Sequence, residues 1–255
     1  MKPNETVSRR VFLGMGVALG AAGMDLALGG AFKRGGAHAR ESVAAPLARL
    51  QPPDGPIRAA ILLDQGATVI DFAGPWEALQ DAATDQGAGF ELYTVAARPD
   101  PVTASGGLRI VPDYTFANAP QPKVLVMGAQ AGGRQASDTT SAKVEWIRHV
   151  AAGADIVMSV CTGAFLLART GLLDGLSATT HHGFYDAFEQ EFPQAHLVRN
   201  RRFVDNGKFL CGGGLTSGVD AALHVVARYF GSEAARASAA YMEHDSDGWL
   251  SGVRA

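Results

Sequence analysis

Cysteine is scarce in this 255-residue chain, which carries two, Cys161 and Cys211. Two thiols cannot build a disulfide scaffold, and at this length none is required. Charge is thin as well. Charged residues make up 18% and the formal net charge is −3, so no basic field exists to hold nucleic acid. A long apolar run is also lacking. The weakly apolar stretch from Gly14 to Leu28 is interrupted by Asp25 and diluted with glycine, short and impure for a membrane span. What is present is a hydrophobic content of 47%, enough for a sizeable core, which excludes a disordered or collagen-like chain. The 31 glycines and 12 prolines are spread along the chain and imply many tight connections.

The N-terminus has the three parts of an export signal: a cationic start, an apolar middle and a small-residue end. Ser8-Arg9-Arg10-Val11-Phe12-Leu13 precedes the apolar stretch, and Ala37-His38-Ala39 follows Lys33 and Arg34. The arginine pair with Phe12 and Leu13 resembles a twin-arginine signal, which predicts cleavage after Ala39 and a periplasmic or secreted protein with no stable membrane insertion afterwards. An uncleaved N-terminal anchor is the alternative. Residues 40–56, with Pro46, Pro52 and Pro53, read as a linker without periodicity. Residues 57–255 read as one domain.

From Ile57 onward, short apolar runs alternate with amphipathic stretches. Strands are expected at Ile57–Leu63, Phe90–Ala96, Lys123–Met127, Ile156–Val160 and Ala178–Thr180. A further one is expected over Phe203–Cys211, folded at Asp205-Asn206-Gly207 as a hairpin. Helices are expected at Pro75–Ala83, Ser141–Ala151, Thr162–Thr170, Thr216–Tyr229 and Ser232–Met242. This alternation predicts an α/β three-layer sandwich with a mostly parallel sheet flanked by helices.

Cys161 follows an apolar strand directly and precedes a Gly-containing helix start. A residue there sits at the carboxyl edge of the sheet, where α/β folds place ligands, and beside free helix N–H groups. The expectation is a thiol of depressed pKa, partly thiolate near neutral pH. A buried, inert cysteine is the alternative. Asp71 reads in two ways, as a carboxyl kept protonated beside a thiolate or as a cap for a helix starting near Pro75. His149, His196, His224 and His244 read as surface residues. The adjacent His181 and His182 lack a third ligand at zinc-like spacing, so no metal or cofactor is expected.

Three stretches in order carry a resemblance: Val160-Cys161-Thr162-Gly163-Ala164, then Gly171-Leu172-Leu173-Asp174-Gly175, then Ala178-Thr179-Thr180-His181. With Val69-Ile70-Asp71-Phe72-Ala73-Gly74-Pro75-Trp76-Glu77 upstream and Leu215-Thr216-Ser217-Gly218-Val219-Asp220 downstream, the chain resembles the ThiJ/PfpI superfamily. That resemblance implies the flavodoxin-like, class I glutamine amidotransferase-like fold. It is nearest the branch holding isonitrile hydratases and the ligand domains of certain transcription regulators. It implies Cys161 as nucleophile, Asp71 facing it, Thr162 orienting substrate or water, and His181 near the cysteine. Thr162 stands where protease-like members carry His, and no His occupies Gly212-Gly213-Gly214-Leu215, so peptidase and amidase chemistry are not expected. Where the superfamily has Pro-Gly-Gly after a strand, this chain has Gly128-Ala129-Gln130-Ala131-Gly132-Gly133, so an anion-hole donor is expected at the N–H of Ala129 or Gln130. Cys211 reads as core or as a disulfide partner for Cys161.

The resemblance implies a small-molecule enzyme that adds water to an isonitrile, with Trp76, Phe72 and Phe165 as candidate lining for the organic group. It also implies a homodimer. Two other readings stand beside it: a small-molecule-binding or thiol-redox-sensing domain, and a glyoxalase or deglycase. The latter relatives carry Glu where this chain has Asp71. Regulator relatives follow this domain with a DNA-binding module; the chain past Phe230 is too short for one, so no nucleic-acid partner is expected.

Overall fold

The computed structural model describes residues 49–82, 89–131 and 141–250, with the backbone of a short strand at Val253–Arg254. The expected signal sequence with its cleavage point, the expected linker up to residue 48, and Gly132-Gly133 lie outside the described residues. Of the linker, Arg49 and Leu50 are seen tied to the end of a later helix: the Leu50 N–H donates to the Arg228 carbonyl at 2.7 Å, and the Arg49 guanidinium to that of Tyr229.

The chain runs through β1 (Ile57–Leu62), α1 (Val69–Gln80) and β2 (Phe90–Ala96). Three two-residue strands follow, β3 (Val102–Thr103), β4 (Arg109–Ile110) and β5 (Tyr114–Thr115). Next come β6 (Val124–Met127), α2 (Ala142–Gly153), β7 (Ile156–Val160) and α3 (Gly163–Arg169). The second half holds β8 (Ser177–Ala178), α4 (Tyr185–Glu191), β9 (His196–Leu197), β10 (Phe203–Asp205) and β11 (Phe209–Gly212). It closes with α5 (Ser217–Phe230), α6 (Ser232–Tyr241) and β12 (Val253–Arg254).

The main sheet orders its strands β12-β10-β11-β7-β6-β1-β2-β5 and is parallel except at the β10–β11 hairpin. Its central strands β1, β6 and β7 are almost wholly apolar because both faces are covered by helices. One face packs against α1, α5 and α6, in a cluster that includes Ile61, Val126, Met158, Val226 and Tyr229. The other packs against α2 and α3, around Leu125, Ile147, Phe165 and Leu167. This is the expected three-layer sandwich. No helix among the described residues is long and apolar enough to cross a membrane.

Three expectations are corrected. First, α1 begins at Val69, so Pro75 lies within the helix and Asp71 in its first turn. Asp71 therefore does not cap a helix starting at Pro75. Second, the strand expected over Ala178–Thr180 is only Ser177–Ala178, paired in parallel with β9 in a separate two-stranded sheet. Third, His224 and His244 are not surface residues. His224 Nε2 lies 2.9 Å from buried Asp205, and His244 Nε2 lies 2.7 Å from buried Asp220.

Candidate active site

The parallel register places the ends of β1, β6 and β7 on one sheet edge, and the residues that follow them make the site. After β7, Cys161 takes a φ of +58°, a left-handed conformation that costs a non-glycine residue roughly 1 kcal/mol or more. Three hydrogen bonds hold it there. Its N–H donates to the Gly213 carbonyl at 2.6 Å and, more weakly, to Gly212 at 3.3 Å. Its carbonyl accepts from the Thr180 hydroxyl at 2.8 Å. The turn into α3 is tight enough that only glycine fits at 163, where a Cβ would stand 2.4 Å from the Met127 carbonyl oxygen. The result is a strained strand–turn–helix elbow with the sulfur at its tip.

Asp71 reaches this elbow from α1. Its side chain is fully buried, and Oδ2 accepts the Ala129 N–H at 2.9 Å. Gly128 permits the approach, since a Cβ there would lie 2.6 Å from that of Asp71. Among the described residues Oδ1 has no hydrogen-bond partner that meets ordinary geometry, although the carboxyl and the Cys161 thiol act on one another. Burial pushes the carboxyl up to about 6, while the Ala129 N–H and the thiol pull it down.

The thiol departs from the expectation. Burial first, and then the Asp71 charge, push Cys161 up to about 12; the N–H groups of Thr162 and Leu215 pull the other way. The depressed pKa expected from a helix N-terminus is overturned for two physical reasons. α3 has only 7 residues, so little dipole gathers at its start, and the sulfur is taken out of water beside a carboxyl. Two anions cannot share this site. Near neutral pH the pair therefore holds a single shared proton.

The remaining expected residues are placed as follows. Thr162 is half-buried, its N–H reaches the sulfur, and its hydroxyl makes no cap bond in α3. Ala129 spends its N–H on Asp71, which removes it as an anion-hole donor. Gln130 is buried, with neither polar atom of its carboxamide partnered among the described residues. The His181 ring lies over Gly214, next to the Leu215 N–H that reaches the sulfur. His181 Nδ1 accepts the Gly183 N–H, which leaves Nε2 as the protonated nitrogen; burial, then His182, push its pKa down. Trp76 is directed along α1 to Gln80, one turn further from Asp71. Phe165 lies in the core against Phe188 and Phe192, away from the thiol. Both cysteines are free, with Cys211 wholly buried near Ser159. Among the described residues, no cluster of three His, Cys, Asp or Glu could hold a metal.

Sequence reasoning missed two contributors. Leu215 supplies an N–H to the sulfur from a φ of +51°, and Thr180 ties down the elbow carbonyl. The Gly212-Gly213-Gly214 run was the available signal for the first, and the Ala178-Thr179-Thr180-His181 stretch for the second.

A model of the DJ-1/PfpI family matches residues 57–228, which include every residue of this site. The chain belongs to the DJ-1/PfpI family. It is 33% identical over 170 residues to an isonitrile hydratase of Pseudomonas putida, covering 66% of this chain and 69% of that one. It is 32% identical over 176 residues to the HTH-type transcriptional regulator GbdR of Pseudomonas aeruginosa; the match covers 68% of this chain but only 46% of the regulator. Among solved structures it is similar to a ThiJ/PfpI family protein from Pseudomonas syringae, with a TM-score of 0.66 and 32% identity, covering 76% and 77% of the two chains. Drosophila melanogaster DJ-1beta, at 19% identity and a TM-score of 0.64, shares the fold.

Proposed function

We propose that this DJ-1/PfpI protein is a cysteine-dependent hydratase converting an isonitrile and water to an N-substituted formamide. The observation that carries the reading is a strained, backbone-clamped cysteine facing a buried carboxyl whose Oδ1 is unpartnered among the described residues. The resting pair shares one proton. Asp71 holds it as sulfur attacks the terminal isocyano carbon, then passes it to that carbon, leaving a thioimidate in which carbon bears hydrogen, sulfur and a double bond to nitrogen. Water adds to the carbon as nitrogen takes a proton. Cleavage of the carbon–sulfur bond then releases the formamide and restores the thiol. The N–H groups of Thr162 and Leu215 stabilise the sulfur when it is negative in the first and last steps. The family likeness to the Pseudomonas putida hydratase supports this reading.

A redox-sensing role fits less well, because sensor cysteines are accessible and of low pKa, whereas Cys161 is 6% exposed with its thiol pushed up. A binding domain without turnover would use the same site, and the likeness to GbdR favours keeping it as the rival. Incubation of the purified protein with cyclohexyl isonitrile decides between them. Formamide should accumulate with many turnovers and vanish in Cys161→Ala; saturable binding without formamide would refute the hydratase. The reading includes export by the twin-arginine route, supported by Ser8-Arg9-Arg10 and Ala37-His38-Ala39, and a homodimer, which rests on the family resemblance alone.

A further inference from the structure

Two large apolar side chains are exposed beside the reactive pair. Ile70 precedes Asp71 and is 36% exposed; Leu215, whose N–H reaches the sulfur, is 42% exposed. Single exposed hydrophobics are ordinary on protein surfaces, and Leu108, Val111, Tyr241 and Leu250 need no explanation. Ile70 and Leu215 differ in where the fold puts them. α1 and α5 pack side by side, and a Cβ added to Gly74 would stand 3.5 Å from Ile70 Cδ1 and 2.9 Å from Val219 Cγ2. Ile70 thus lies against the first turn of α5. The carbonyl of Leu215 accepts the Gly218 N–H at 2.9 Å, so Leu215 leads directly into that same turn. Leu215 is also held at a φ of +51°. Strain of that kind at a site calls for a reason. Aiming the N–H at sulfur accounts for the backbone, and the side chain is left exposed. Of the aromatic groups expected for this task, Phe165 is in the core and Trp76 is turned toward Gln80, while Phe72 is half-buried against the cluster that includes Cys161.

We propose that Ile70 and Leu215 form an apolar shelf that receives the organic group of the substrate, so that the site selects uncharged electrophiles by the length of their alkyl or aryl body. The isonitrile as electrophile rests on the hydratase reading; the shelf needs only a reactive thiol. The test compares Cys161 alkylation by iodoacetamide and by N-hexyl-iodoacetamide in the natural chain, Ile70→Thr and Leu215→Asn, with the labelled cysteine identified by mass spectrometry. Asn accepts a left-handed backbone and retains the N–H, so the second variant keeps the fold. The hexyl reagent should be preferred roughly tenfold by the natural chain, the effect of burying a little under two methylenes. Each variant should cut that preference at least about threefold. A preference equal in all three proteins overturns the shelf, as does a proportional loss of both rates. An altered oligomeric state with an unaltered preference also overturns it, assigning the surface to a second copy. A preference that falls as expected, in a protein that turns over no isonitrile, supports the shelf and refutes the hydratase reading alone.

Discussion

Asp71→Asn separates what the buried carboxyl does for chemistry from what it costs the fold. The carboxyl titrates near 3.8 when free and is pushed up to about 6 by burial in the folded chain. A carboxyl whose folded pKa is raised favours the fold while protonated, and that contribution is lost as pH rises through the folded value. The linkage puts the cost of the ionised form at about 1 kcal/mol at pH 4.5 and about 3 kcal/mol at pH 7.5. Asn carries no charge, and its amide oxygen can keep the Ala129 N–H. Its NH₂ would sit where Oδ1 is now unpartnered, a buried donor costing about 1 kcal/mol. The variant should therefore match the natural chain at pH 4.5 and exceed it by about 2 kcal/mol at pH 7.5. Urea unfolding at the two pH values measures this, alongside loss of turnover. A natural chain that gains on the variant as pH rises would refute the reasoning, because the carboxylate would then be stabilised in the fold rather than stored there at a cost.

The carboxyl also sets a pH profile: iodoacetamide labelling of Cys161 should rise through about pH 6 as Asp71 becomes able to accept the thiol proton. That limb should be missing in Asp71→Asn, and its persistence there would assign it to another group. Thr180→Val removes the donor to the Cys161 carbonyl while keeping shape. It should slow labelling about tenfold and cost about 1–2 kcal/mol of stability, with Thr180→Ser restoring the rate; a stability loss without a rate change would make the bond purely structural.

The fold was legible because local pattern and burial coincide. Ile156–Val160 is all apolar and short, so it can only be a strand covered on both faces, and α5 repeats its apolar residues at helical spacing. The start of α1 was not legible. Pro75 signals a first turn, yet Pro is tolerated here within the helix, and the packing of Gly74 against Val219 extends α1 back to Val69. The short strands β3 to β5 and the helix α4 were missed for a related reason, being too short to show a period. His224 and His244 looked like surface groups because their partners Asp205 and Asp220 lie 19 and 24 residues away in sequence.

For the site, residue types and local geometry were set by the chain itself. A thiol after a buried strand and before Gly163 must stand at an elbow, since only glycine lets α3 start against the Met127 carbonyl. What that thiol does with its proton depends on matter brought from elsewhere in the chain. Asp71 comes from α1, the Ala129 N–H from the end of β6 and the Leu215 N–H from the entry to α5. Dielectric and charge act through space over a few ångströms, so the direction of a pKa shift was decided only once the fold had removed water and set a carboxyl beside the sulfur.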